Sequence, residues 1–294
     1  MALNPLRLQG MVFSALALST AVLSVVLTPL TPQQEWWLAS SLIVLLGVPH
    51  GALDPLFAQA LPYWHGRVAW LFFVAAYLLL STLVVALWWF SPLLFLLGFL
   101  ALSVLHFSGD LSAGATFMAR LVYGTSVIAL PAAWHADELL RLFSQLVGAN
   151  AARPVVSLLQ LIAWPCGLAV LWVAARSVRH DGWRTLEILA LGLMVWTATP
   201  LLGFAVYFCA MHSARHIVRT QHFLGVSPTK LAWVAVLPLL ALVGLGGLGW
   251  RLLPASPIDE RMLQWVFVGL AALTLPHMVL VERFRFAGWP TRTG

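Results

Sequence analysis

Two histidines stand four residues apart, His212 and His216, in the run Phe208-Cys209-Ala210-Met211-His212-Ser213-Ala214-Arg215-His216. Residues i and i+4 share a helix face, so both imidazoles are expected to point the same way. Imidazole suits iron, zinc, copper and nickel. Polar side chains inside an apolar segment are functional candidates by default. A metal site is therefore the first chemistry to look for, and the other histidines are the first residues to place.

Nine histidines are present. His65, His135, His180 and His222 fall in loops or at helix ends and read as solvated or interfacial. His50, His106, His212, His216 and His277 lie inside apolar segments. His50 sits in Gly47-Val48-Pro49-His50-Gly51-Ala52-Leu53-Asp54, and His106 in Leu105-His106-Phe107-Ser108-Gly109-Asp110. Pro49 should kink its helix, and Gly51 allows close approach by a neighbour. Asp54 and Asp110 each follow a histidine by four residues. Each could orient that ring through the nitrogen not bound to metal, or be a plain polar group at a helix end. His277 follows Pro276. No carboxylate lies deeper than these, so a neutral imidazole set is more natural than a histidine–carboxylate set. Such a set selects against magnesium and calcium, which prefer oxygen. Zinc would be held closed by four ligands, whereas ferrous iron would keep two further positions open for dioxygen or substrate. Cys166 and Cys209 read as ordinary buried thiols.

The elements that must position these rings are membrane helices. Of 294 residues, 61% are hydrophobic and 9% charged, against roughly 25% charged in soluble domains. Apolar runs of about 20 residues, enough to cross a bilayer, recur along the chain without the alternation of a barrel. The expected fold is an all-α polytopic bundle of about ten transmembrane helices in one domain, residues 1–294. The spans fall near 9–29, 36–54, 68–90, 92–109, 117–136, 155–176, 184–199, 201–220, 231–252 and 262–283, the first retained and not a cleaved leader. The positive-inside rule puts both termini in the cytoplasm. Arg7, Arg67, Arg120, Arg176, Arg179, Arg184, Arg219, Lys230, Arg283, Arg285 and Arg292 then lie inside. Only Arg141, Arg153, Arg251 and Arg261 lie outside. The net charge of +6 thus reflects insertion in the cell's inner membrane and not nucleic-acid binding. Between His135 and Arg153, Leu139, Leu140, Phe143, Leu146 and Val147 share one face, an amphipathic helix for the outer surface. No obligatory protein partner is implied; the lipid bilayer is.

In this orientation the five buried histidines all sit on even-numbered spans running outside to inside. Each lies within about two turns of the cytoplasmic end. At a rise of 1.5 Å per residue they form one layer, roughly 3–12 Å below the inner boundary. Five rings at one depth point to a shared metal site.

The ordered set Pro49-His50-Gly51-Ala52-Leu53-Asp54, His106-Phe107-Ser108-Gly109-Asp110, His212-Ser213-Ala214-Arg215-His216 and Pro276-His277 resembles the Brp/Blh family of integral-membrane β-carotene 15,15′-dioxygenases. The likeness spans the whole chain in length, hydropathy and motif order. One departure is Ser108-Gly109, where a glycine directly after His-Phe is expected. The resemblance implies a non-haem iron enzyme that uses O2 to cleave the central double bond of β-carotene into two all-trans-retinal. It implies iron ligands at His50, His106, His212 and His216. His277, Asp54, Asp110 and Tyr207 then become supporting or pocket residues, with Tyr207 and Trp196 placed on a substrate tunnel.

Two rival readings come from other classes. A membrane diiron desaturase or oxidase acting on a lipid-like substrate needs more histidines in clustered boxes. A haem or metal transporter would show repeats and helices broken at mid-membrane.

Overall fold

The computed structural model describes residues 4–60, 66–111, 114–252 and 258–286. It is a helical assembly with no strand among the described residues. Its helices are α1 (Pro5–Val26), α2 (Pro32–Ala60), α3 (Arg67–Phe90), α4 (Pro92–Asp110), α5 (Phe117–Trp134), α6 (Ala136–Val147), α7 (Ala149–Ser177), α8 (Gly182–Thr197), α9 (Pro200–Leu224), α10 (Pro228–Leu252) and α11 (Ile258–Phe286). Eight of the described helices are long and apolar enough to cross a membrane: α1 to α5, α7, α9, and α11 through Arg261–Val281. At the places of the two remaining expected spans stand α8, with 16 residues, and α10, whose described apolar part is Pro228–Leu240. His65 and Arg292 lie outside the described residues, as do the side chains of Arg251, Arg283 and Arg285.

Proline sets most of the starts. Pro5, Pro32, Pro92 and Pro200 occupy the first turns of their helices, where the missing N–H would have had no partner anyway. Thr31 and Gln34 close a reciprocal capping box at the head of α2, satisfying two of its free backbone groups. The amphipathic α6 is a fixed connector. Its Leu139 and Leu146 are buried, and two of its carbonyls are held by other helices. Trp88 Nε1 donates to Leu146 O at 2.9 Å, and Gln264 Nε2 donates to Gln145 O at 2.9 Å.

The site-bearing helices are broken where they matter. α2 runs as an α-helix to Leu42, a π-helix over Ile43–Gly47, a 3-10 helix over Val48–Leu53, then α again from Asp54. Pro49 cannot donate to the ladder, which accounts for the change of winding beside it. α9 carries a second π segment, Tyr207–Ser213, and α4 ends in a 3-10 turn, Ser108–Asp110. The two π segments pack on each other. A loosened turn leaves carbonyls short of a partner; those of α2 are met by side chains of the α9 π segment, and Ala210 O of α9 by Gln9 Nε2 of α1 at 2.7 Å. Cys209 Sγ donates to Leu42 O at 3.2 Å and Ser213 Oγ to Leu46 O at 2.7 Å. Gly47 is the contact point: a Cβ there would come within 2.4 Å of the Phe208 ring.

α5 lies close on the last turn of α4. A Cβ on Gly124 would stand 2.2 Å from Val104 O and 2.9 Å from Ser108 N, atoms that cannot move without moving the His106 turn. Gly124→Ala is therefore expected to cost about 1–3 kcal/mol of stability through overpacking, read as a lower unfolding midpoint in detergent. Gly192→Ala on α8, where no atom lies within 4 Å of the new Cβ, should not destabilise. Equal midpoints for the two variants would show that the α4–α5 approach is looser than described.

Candidate metal centre

The five histidines of the apolar segments converge although they come from four helices. His50 is on α2, His106 on α4, His212 and His216 on α9, and His277 on α11. The His106 and His212 ring centroids are 4.3 Å apart and those of His50 and His212 4.9 Å. His277 is 5.2 Å from each of His50, His106 and His216. His50 lies 5.5 Å from His216 and 6.3 Å from His106. The nitrogens of His50, His106 and His277 that could bind a cation lie within 4.8 Å of one another.

Acceptors on the far sides of three rings set their tautomers. His212 Nδ1 donates to Asp110 Oδ2 at 2.9 Å, His277 Nδ1 to Asp54 Oδ1 at 2.6 Å, and His50 Nδ1 to the carbonyl of Gly47. A ring that donates from Nδ1 keeps its lone pair on Nε2. Tyrosines hold the carboxylates in turn. Tyr207 donates to Asp110 Oδ2 at 2.8 Å and Tyr77 to Asp54 Oδ2 at 3.0 Å.

The pairing of carboxylates and rings differs from the sequence expectation. The i+4 spacing allows Asp54 to serve His50 and Asp110 to serve His106, or either to be a plain polar group at a helix end. Each instead serves a histidine on another helix. The i+4 rule holds for α winding, and both motifs enter a 3-10 turn at this point. With three residues per turn, the fourth residue no longer stands over the first. Tyr207, placed on the tunnel by the sequence reading, is 1% exposed and lies behind His212 as the donor to Asp110. Trp196 is 56% exposed and offers its carbonyl to His135.

The Nε2 atoms of His212, His216 and His277 are buried without a hydrogen-bond partner. Buried polar atoms are almost always paired. Three unpaired imidazole nitrogens within one cluster of rings are the donor set a transition-metal cation would satisfy, and the residues present fit such an ion.

A cleft reaches His50, His106 and His277. Its walls are Val48, Gly51, Phe99, Ser103, Phe107, Phe204, Phe208, Leu270, Leu273 and Thr274. These residues repeat in tiers. Ser103, Phe208, Leu273 and Thr274 stand about one turn before the histidine of their helix, and Phe99, Phe204 and Leu270 about two turns before. At 1.5 Å per residue the cleft rises roughly 11 Å from the rings. Ser103 and Thr274 spend their hydroxyl hydrogens on Phe99 O and Leu270 O of their own helices, at 2.8 Å and 2.7 Å.

Behind the rings lies a buried ion pair that the sequence reading did not use. Arg215 grips Glu187 of α8 through Nη2–Oε1 at 2.6 Å and Nη1–Oε2 at 3.2 Å. Its Nε donates to Gln9 Oε1 of α1 at 2.7 Å, and Nη1 also reaches the carbonyl of Asp110. Arg219 Nη1 donates to Gly109 O at 2.7 Å. The two arginines of α9 thus hold the turn that carries Asp110. An arginine inside an apolar span was the available signal. Tyr77 had none, since a tyrosine in an apolar helix is ordinary.

The profile of the family described as Beta-carotene 15,15′-dioxygenase matches residues 41–285, and the chain belongs to that family. It is 31% identical over 258 residues to the Beta-carotene 15,15′-dioxygenase of an uncultured marine bacterium 66A03, covering 84% of this chain and 92% of the relative. It is 29% identical over 318 residues to the Probable beta-carotene 15,15′-dioxygenase Blh of Halobacterium salinarum, covering 95% of this chain and 91% of that one. No solved structure matches.

Breaking the ion pair from one side strands a buried charge, at about 3–5 kcal/mol. Arg215→Leu alone should therefore lower the unfolding midpoint steeply. Arg215→Leu combined with Glu187→Leu should recover part of the loss. If the double variant is worse than the single by the full cost of Glu187→Leu alone, the two side chains are not coupled.

Proposed function

We propose that this chain cleaves the central 15,15′ double bond of β-carotene with O2 to give two retinal molecules. The proposed cofactor is one non-haem ferrous iron held by His50, His106, His212 and His216. The observation that carries the reading is the set of unpaired buried imidazole nitrogens on His212, His216 and His277, in a cluster of rings whose His50, His106 and His277 face an aromatic cleft. Family membership and the relatives' printed names support the substrate and the bond. The single α-helical domain, residues 1–294, is proposed to cross the inner membrane ten times, with α8 and α10 as the two further spans and both termini in the cytoplasm.

Bound iron would supply the redox chemistry that lets ground-state dioxygen react with a closed-shell alkene. The protein's contribution is placement and dryness. In the cleavage the carbon–carbon double bond breaks, and each of its carbons becomes an aldehyde carbon carrying one oxygen atom. Each carbon keeps its hydrogen, so the net reaction moves no proton. The cleft suits that balance: among the described residues its lining has no titratable side chain apart from the histidines, and the Ser103 and Thr274 hydroxyls donate to their own backbones. Phe99, Phe107, Phe204 and Phe208 line the cleft with apolar rings that suit a flat polyene and exclude water. Asp110 and Asp54 hold His212 and His277 in the tautomer that leaves Nε2 available. A forty-carbon carotenoid is longer than the roughly 11 Å of cleft above the rings. Its remainder must run out between helices into lipid, so entry is lateral, directly from the bilayer.

Expression in a β-carotene-producing bacterium should yield retinal as the dominant aldehyde, about two per carotene consumed if the reading of a single central cut is right. A longer apocarotenal as main product would place the cut elsewhere. His50→Ala, His106→Ala, His212→Ala and His216→Ala should each abolish both retinal and stoichiometric iron; two irons per chain or a Soret band would favour the diiron or haem alternatives. Reporter fusions after Arg184 and within residues 149–153 should report opposite sides of the membrane, the second outside. The same side for both would remove α7 from the span count.

A further inference from the structure

We propose that His277 is a fifth imidazole ligand of the metal, beyond its place on the cleft wall. The inference rests on the metal-centre reading above and extends its donor set.

Three independent observations lead there. The first is position. His50 is in ring contact with the other four histidines, at centroid distances from 4.9 to 6.3 Å. Around it the others follow one another: His212 to His106 at 4.3 Å, His106 to His277 at 5.2 Å, His277 to His216 at 5.2 Å. His216 returns to His212 one turn along α9. Without His277 this circle is open between His106 and His216. Its nitrogen also belongs to the group that lies within 4.8 Å together with those of His50 and His106.

The second is an unused lone pair. His277 is 2% exposed, and its Nε2 has no partner. A histidine kept only to line an apolar cleft would leave that nitrogen desolvated for no return. A histidine kept for packing would turn it to an acceptor or donor.

The third is a repeated support. A tyrosine hydroxyl and a histidine Nδ1 share one buried carboxylate twice in this protein, as Tyr207–Asp110–His212 and as Tyr77–Asp54–His277. A carboxylate on the distal ring nitrogen is the usual support of a metal-bound histidine, since it fixes the tautomer and raises basicity. The arm built for His212 is built again for His277, on different helices. An octahedral ion with five imidazoles keeps one position for an outside ligand, where four would leave two. The cleft touches His50, His106 and His277 but not His212 or His216, so an outside ligand would approach from the side of those three rings.

The test uses the full-length protein purified in detergent and loaded with cobalt(II), whose visible absorption reports the number and kind of its ligands. Wild type is expected to bind one cobalt per chain. His277→Ala should lose at least about ten-fold in retention against a chelator and change the ligand-field spectrum, and added free imidazole should restore both. His277→Asn gives a second variant of polar side chain if the alanine form fails to fold, with the same expected changes. Asp54→Asn should weaken retention by about 10–100-fold while keeping the wild-type band shape, because it removes the support and not the ligand. A His277 variant with wild-type retention and spectrum overturns the proposal. So does an altered spectrum that imidazole leaves untouched. Wild type that binds no cobalt, or His212→Ala with an unchanged spectrum, would bring down the metal-centre reading itself, an outcome distinct from failure at His277 alone.

Discussion

A carboxylate buried among apolar helices has to be paired; Glu187 is paired to Arg215, and Asp54 and Asp110 are paired across helices to histidines. Asp110 ties α4 to α9 through His212, and Asp54 ties α2 to α11 through His277. These two bonds do more than satisfy their own atoms. Each fixes which ring nitrogen carries the hydrogen, and so which one is left bare toward the other rings. Each also fixes the rotation of one helix against another, because the bond forms at one side-chain setting only. The tyrosines that share the carboxylates and the arginines that grip the Asp110 turn serve the same end. The electrostatic support of the rings and the packing of the bundle are thus one structure.

The breaks in helical winding follow from the need to bring that structure together. Packed helices keep their axes about 8–10 Å apart, and their inward side chains reach across that gap. The π segments of α2 and α9 and the 3-10 turns of α2 and α4 carry or adjoin His50, His106 and His212. Side-chain donors from the opposite segment then satisfy the freed carbonyls. Gly47 makes the approach possible by leaving room for the Phe208 ring. Phe208 belongs to the cleft wall and also contacts His50 and His212. The same loosened turn therefore shapes both the rings' surroundings and the cavity above them.

Composition, proline positions and the length of apolar runs made the helical membrane fold legible, because each reports on a local requirement: backbone satisfaction in lipid and helix starts. The five histidines were legible for a similar reason, since matched distance from the helix ends can be counted along the chain. The partners of Asp54 and Asp110 were not. Their assignment to His50 and His106 assumed regular α winding, and the winding changes between each pair. Glu187 and Gln9 were hidden too, because what makes them matter is Arg215, which meets them only in the folded bundle. The aromatic walls were half legible: Phe99, Phe204 and Phe208 precede their histidines at helical spacing, yet phenylalanines at such spacing are common in any membrane helix.

The bond between Asp54 and His277 joins residues 223 positions apart, and membrane proteins are made in one direction. While the chain is being synthesised, α2 enters the bilayer long before α11 exists. Throughout that interval the Asp54 carboxylate lacks the imidazole that later neutralises its burial. The early bundle must therefore leave this end of α2 wet, near the membrane surface, and the arrival of the last helix is what seals it. A truncated or stalled chain would keep a hydrated, open pocket and an incomplete ring of imidazoles. The set of five imidazoles is therefore complete only when translation is nearly finished.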